Sequence, residues 1–290
     1  MSFSDKIKKK IEDFRGTGIR ETKPLSGGCI SNAYKITLTD GFSYLLKINE
    51  HSPDDMFKTE AHGLLELQKA EAIKIPEVFL HDKDFILLEF ISSAPKKKKF
   101  FEEFGRKFAK LHKYTAEEYG FYEDNYIGST PQYNLNNESN KMNWISFYFY
   151  NRLLYQFKLA EKNGYADNAL GDGFKNIENK IESILGGSEE RPTLLHGDLW
   201  SGNYMVNESG DACLIDPAVY YGHREADLAM TKLFGGFSPP FYKAYNEAFP
   251  LREGWDYREN IYMLYHVMNH LNIFGRGYYA HALQIMKYYL

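Results

Sequence analysis

The chain has 290 residues, 43% hydrophobic and 26% charged, with a formal net charge of −4. That length and composition suit a large core in one or two domains and exclude a disordered chain. The negative balance argues against a dedicated nucleic-acid binder, which needs a basic face. Two cysteines, Cys29 and Cys213, cannot build a disulfide framework, and neither a signal peptide nor an apolar run of membrane-spanning length is seen. A cytoplasmic protein with no membrane and no nucleic-acid partner is expected.

In chain order, 34–38 and 42–48 alternate around Thr39, Asp40 and Gly41, which predicts a β-hairpin. Residues 54–69 have helical periodicity, with Phe57, Ala61 and Leu64 on one face. Two short strands follow at 77–81 and 84–90. From Pro95 the pattern turns helical, and Phe101, Phe104, Phe108 and Leu111 form an amphipathic stripe. The run Lys96 to Lys99 reads as a solvated helix start or lobe connector. An Asn-rich stretch, 128–143, reads as an inserted loop; helices resume over 144–162 and from about Asp227 to the C-terminus. The abundant aromatics fall at helix spacing and read as packing. The expected fold class is α+β with two lobes: a small antiparallel β lobe with one helix over 1–92, and a larger, mainly helical lobe over 93–290.

Glu60 shares the buried stripe of its helix, and a carboxylate facing a core requires a cation. Lys47, at the end of the hairpin strand, is the candidate. Such a pair is either structural or the device by which kinase-type folds aim an ammonium at the α- and β-phosphates of ATP. Upstream, Ser26, Gly27, Gly28 and Cys29 could turn backbone N–H groups toward a phosphate, although an ordinary β-turn would need the same glycines. Cys29 is either a small residue that fits the turn or a thiol whose oxidation blocks ATP.

The densest chemistry lies at His196 to Asn203, too polar for a strand and too glycine-rich for a helix. Phosphoryl transfer needs an in-line acceptor hydroxyl and divalent cations. Asp198 can take the hydroxyl proton, while Asn203 and Asp216 offer hard oxygen ligands to Mg2+. His196 reads as a brace for the loop, not a base. Trp200 either anchors the loop or presents its face to a sugar ring and its π-cloud to a cationic amine. Arg224 and Asp227 read as structural support with Glu225, with a phosphate contact by Arg224 as the alternative.

The array Lys47, Glu60, Asp198, Asn203 and Asp216 resembles the protein-kinase-like superfamily. The short path from Asp216 to the helix near Asp227 departs from protein kinases, which carry a long activation segment there, and implies a small-molecule acceptor. The combination of SGGCISN at 26–32, HGDLWSGN at 196–203, IDPA at 215–218, YGHRE at 221–225, DLAM at 227–230 and FGGF at 234–237 resembles the fructosamine kinase (ketosamine-3-kinase) family across essentially the whole chain. The resemblance implies ATP and Mg2+ as cofactors and phosphorylation of the sugar carbon-3 hydroxyl of a ketoamine, small or borne on a glycated protein lysine. By position alone, the strand 85–91 leads into the lobe connector and puts the adenine edge at the backbone of Glu89, Phe90 and Ile91. Same-fold enzymes acting on aminoglycosides, choline-like amino alcohols or thiosugars, and a silent nucleotide-binding protein, are the alternatives. Oligomeric state stays open.

Overall fold

The computed structural model of the chain describes residues 3–25, 31–135 and 143–290. Helix α1 (Asp5–Arg15) starts where the Ser4 hydroxyl accepts the Ile7 N–H, and it stops at Gly16, whose φ of 65° gives a left-handed cap. Then follow β1 (Ile19–Leu25), β2 (Asn32–Leu38), β3 (Ser43–Ile48), α2 (Met56–Lys69), β4 (Val78–Asp82) and β5 (Phe85–Glu89). The five strands form one antiparallel sheet in the order β1-β2-β3-β5-β4.

Strand alternation decides what each face of this sheet carries. Tyr44, Leu46 and Ile48 pack with Ile36, Leu38 and Leu87 under Ile7 and Ile11 of α1. The opposite face sets Ile86 and Leu88 against Phe57, Ala61 and Leu64 of α2. Lys47, one residue out of step with Leu46 and Ile48, is thereby delivered to the α2 side. The expected hairpin and the helix over 54–69 are present. Helix α1 and strand β1 are additions: only Ile7 and Ile11 of α1 are buried, and β1 is exposed along nearly its whole length, so neither carries a strong periodic signal.

The remainder comprises α3 (Phe100–Leu111), β6 (Asn125–Ile127), β7 (Thr130–Gln132), α4 (Trp144–Tyr148), α5 (Tyr155–Lys162), α6 (Asn168–Leu185), β8 (Thr193–Leu195), β9 (Tyr204–Val206), β10 (Ala212–Leu214), β11 (Tyr220–Gly222), α7 (Arg224–Lys232), α8 (Pro239–Ala248), α9 (Trp255–Phe274) and α10 (Tyr279–Tyr288). A π-helical segment, Phe149–Leu154, joins α4 to α5, so the helix expected over 144–162 is continuous but locally widened. The stretch read as an inserted loop is structured at its start: β6 and β7 pair, and Thr130, Gln132 and Asn134 are buried. Its polarity misleads because those side chains face protein partners instead of water. The helix expected from Asp227 begins earlier, at Arg224, behind the capping ring of His223. One contiguous apolar cluster runs from Phe57, Leu64 and Ile86 of the sheet lobe to Phe104, Leu195 and Tyr262 of the helical lobe.

Helices α3 and α8 approach so closely at Gly105 that a β-carbon there would overlap the Phe241 carbonyl oxygen, whereas the same atom at Gly171 of α6 meets open space. Glycine to alanine within an open helix stabilises by about 0.5–1 kcal/mol. Gly171→Ala is therefore expected to raise stability by that amount. Gly105→Ala should instead lose about 1–3 kcal/mol from overpacking. Urea midpoints at constant m-value give both signs.

Candidate active site

Strand β8 runs into the loop 196–203, and the β9–β10 hairpin brings the chain back to Asp216. The two ends are stitched together: Ile215 N–H donates to the Asn203 carbonyl (3.1 Å) and Ala218 N–H to the His196 carbonyl (2.8 Å). Gly197 makes the turn at a φ of 82°, and any β-carbon on it would collide with the Ala218 oxygen. Asp216 itself has a φ of 53°, a left-handed conformation that costs a non-glycine residue about 1–2 kcal/mol.

That turn aims Asp216 at Lys47. Lys47 Nζ lies 2.7 Å from Glu60 Oε1 and 2.8 Å from Asp216 Oδ1, so one ammonium joins β3, α2 and the helical lobe. Burial opposes its charge, but Asp216 and Glu60 outweigh burial and hold the Lys47 pKa above that of an ordinary lysine. Burial also pushes Asp216 upward, and Lys47 more than reverses this. The Lys47 side chain is 14% exposed and that of Asp216 40%, which leaves the carboxylate open to solvent.

Within the loop, Asn203 Nδ2 donates to the Asp198 carbonyl (2.8 Å) and to Asp198 Oδ2 (3.1 Å). With its nitrogen so committed, the amide oxygen of Asn203 is turned away from Asp198. Burial, then the Asp216 charge, lift the Asp198 carboxyl well above the usual carboxylate range, with the Asn203 bond only partly opposing. His196 Nε2 lies 2.9 Å from the Ile215 carbonyl, and His196 Nδ1 accepts the Asp198 N–H at 3.3 Å. A carbonyl can only accept, so Nε2 bears the proton and Nδ1 is already engaged. Burial lowers the His196 pKa as well. The ring is a neutral brace with no free lone pair for base chemistry.

Asp227 takes the His196 N–H at Oδ2 (2.7 Å) and the Gly197 N–H at Oδ1 (2.8 Å). His112 Nε2 stands 3.3 Å from Asp227 Oδ2, and its Nδ1 lies 2.7 Å from the Tyr245 hydroxyl. Burial raises the Asp227 carboxyl, yet the His112 and His196 rings and the Gly197 amide hold it below the usual range. Sequence reasoning passed over His112 and Tyr245. A signal existed for the first, since His112 extends the four-residue spacing of Phe104 and Phe108.

The other expected site residues fall in different places. Trp200 is half-buried; its ring folds over Gly202 and meets Phe234 edge-on at 5.2 Å. Arg224 is buried, clamped by Glu190 through Nε (2.7 Å) and Nη2 (2.9 Å), and bonded to the Phe249 and Pro250 carbonyls. Its donors are taken internally, so the alternative of a phosphate contact is dropped. Glu89 gives its N–H to the Glu77 carbonyl (2.8 Å) and its carboxylate to Lys74 (2.6 Å), while Phe90 carries Lys35 over its ring and Ile91 is buried. Ser26, Gly27, Gly28 and Cys29 lie outside the described residues. Among the described residues no cluster of three or more His, Cys, Asp or Glu side chains forms a self-sufficient metal cage, and no helix is long and apolar enough to cross a membrane.

A five-stranded sheet that hands a clamped lysine to an aspartate of a helical lobe, across from a second aspartate held by an asparagine, defines a kinase-like phosphotransferase. The chain belongs to the fructosamine kinase family, whose profile matches residues 3–290. It is 36% identical over 277 residues, 93% of this chain and 90% of the relative, to a probable ketoamine kinase of Synechocystis. Against the chloroplastic protein-ribulosamine 3-kinase of Arabidopsis thaliana, identity is 36% over 287 residues, covering 97% and 86%. A crystal structure of a candidate fructosamine-3-kinase from Thermobifida fusca matches with a TM-score of 0.88 at 28% identity over 99% of each chain. An ADP-bound aminoglycoside phosphotransferase shares the fold at a TM-score of 0.64 and 14% identity, covering 99% of this chain and 100% of the other.

Replacing Asp227 with asparagine turns one acceptor into an NH2 that faces a loop N–H. Asp227→Asn should cost about 1–3 kcal/mol near neutral pH. Because the native carboxyl titrates below its unfolded value, the stability it supplies is present above pH about 4 and is lost as pH falls through the lower native value. Denaturant unfolding of both proteins across the acid range should show the gap closing.

Proposed function

We propose that the chain transfers the γ-phosphoryl group of ATP to the carbon-3 hydroxyl of a ketoamine of the fructosamine or ribulosamine type, small or borne on a glycated protein lysine. The phosphorylated adduct then decomposes and frees the amine, a repair activity suited to the cytoplasm. The observation that carries this reading is Lys47, held at 2.7 Å by Glu60 and 2.8 Å by Asp216, with Asp198 near enough to feel the Asp216 charge. Relatives named for ketoamine and ribulosamine substrates support the acceptor class.

In this reading Lys47 steadies the α- and β-phosphates, and the turn at Ser26, Gly27, Gly28 and Cys29 cradles them with backbone N–H groups. The adenine edge is met by the backbone of Phe90 and Ile91, since the Glu89 N–H serves the sheet. Asp198 orients the acceptor hydroxyl and takes its proton as general base. Trp200 lies beneath the sugar and faces the amine-bearing end.

The donor set fits Mg2+. Glu60 and Asp216 place two carboxylates against one ammonium, and the Asn203 amide oxygen and the exposed side of Asp216 are hard oxygens of the type that ion prefers. Magnesium characteristically combines one or two protein ligands with phosphate oxygens, which explains why no closed protein cage is needed. When bound, the ion neutralises phosphate charge.

Initial rates with Mg2+-ATP on ribulosyl-lysine, fructosyl-lysine, an aminoglycoside, choline and a thiosugar test the assignment. Turnover of a ketoamine is expected; turnover confined to one of the other acceptors would replace it. Asp198→Asn should lower kcat by about 10²–10⁴-fold while nucleotide affinity, measured by calorimetry, stays near that of the parent. Trp200→Ala should raise KM for the ketoamine about tenfold and leave KM for ATP unchanged.

A further inference from the structure

Three amide side chains are sealed between the β6–β7 hairpin and the segment entering β11. Asn125, Gln132 and Asn134 are 5%, 1% and 0% exposed. Gln132 Nε2 donates to the Ala218 carbonyl (3.1 Å) and to Asn125 Oδ1 (2.9 Å), and Gln132 Oε1 accepts from the Tyr265 hydroxyl (2.8 Å). Asn125 Nδ2 donates to the Val219 carbonyl (2.7 Å). Asn134 Nδ2 donates to Asn125 Oδ1 (2.9 Å), while Asn134 Oδ1 accepts from Arg152 Nη2 (2.6 Å).

The direction of this chain is fixed at both ends. A guanidinium only donates and a main-chain carbonyl only accepts, so each amide between them has one orientation. A flip at any link would set two oxygens or two NH2 groups face to face, in an interior where an unpaired polar group is most costly. Arg152, which sets the polarity, is fully buried in the π-helical segment, with Nη1 on the Tyr133 carbonyl (2.6 Å) and the guanidinium 4.2 Å over the Tyr220 ring.

The group that Gln132 grips is the carbonyl of Ala218, two residues after Asp216. The Ala218 N–H goes to the His196 carbonyl (2.8 Å), and its oxygen packs against Gly197. The two peptides that flank Ala218 thus tie the strand exit that carries Asp216 to the loop that carries Asp198. We propose that Gln132 is a positioning residue for phosphoryl transfer: its amide holds the Ala218 carbonyl so that Asp198 and Asp216 keep their mutual register. This rests on the ATP-dependent reaction proposed above. Gln132 touches neither reactant and acts through the backbone.

Gln132→Met keeps the volume and removes every hydrogen bond of the amide. A misplacement of about 1 Å among reacting groups costs on the order of 10²-fold, so kcat should fall by about that factor while KM for the ketoamine stays within about threefold. The second readout needs no turnover. Calorimetric ADP affinity is compared with and without Mg2+, and the gain brought by the ion should shrink about tenfold, with metal-free ADP affinity unaltered. A purely structural role would lower the melting temperature and leave both the magnesium gain and kcat per folded enzyme intact. An unchanged magnesium gain overturns the proposal whatever the rate, and so does a kcat within about threefold of the parent. If Gln132→Met is recovered unfolded, the same substitution in the stabilised Gly171→Ala background decides, because it still removes the donor bond to the Ala218 carbonyl. A smaller magnesium gain supports the proposal and an unchanged one sinks it. If the parent turns over no ketoamine, the functional reading falls, yet the ADP comparison still passes judgement on Gln132.

Discussion

The buried ammonium of Lys47 is the constraint on which the rest of the molecule depends. A lysine with two carboxylates at 2.7 and 2.8 Å satisfies its charge only while β3, α2 and the exit of β10 stay in place together. Removing one partner from such a pair leaves a buried charge uncompensated, a loss of about 3–5 kcal/mol. The left-handed backbone at Asp216 accompanies this ion pair, and such strain persists only where the surrounding contacts over-determine it.

Opposite this charge cluster, the structure invests in the backbone. Asp227 grips two successive amides, His196 bridges the loop to Ile215 as a neutral ring, and Gly197 lets the Ala218 carbonyl approach where no side chain could fit. Each contact fixes a peptide plane, not a reacting atom. Preorganisation of that kind places dipoles before the reaction begins, so none must be reoriented during it. The short route from Asp216 to α7 is held by permanent contacts of buried side chains.

The legible part of this arrangement was the part with local signals. Alternation around Gly41 showed the hairpin, the stripe of Phe57, Ala61 and Leu64 put Glu60 against a core, and the spacing of Asp198, Asn203 and Asp216 carried the phosphotransfer chemistry. What escaped was set by partners distant in sequence. Gln132 looks like a loop residue until Ala218 and Tyr265 are beside it, and the structural role expected of Arg224 gains its partner, Glu190, only in the fold. Helix α1, rich in lysine, shows only two isoleucines to the interior and announces itself weakly.

Strand β1 is the outer rail of the five-stranded sheet, paired on one side to β2 and, among the described residues, bare on the other. A free rail of this sort invites a foreign chain to add to it. Here Arg20, Glu21 and Lys23 stud the exposed strand with charge, and Pro24 interrupts its row of amide donors. The same residues that make β1 look unlike a strand therefore guard the sheet against runaway self-association.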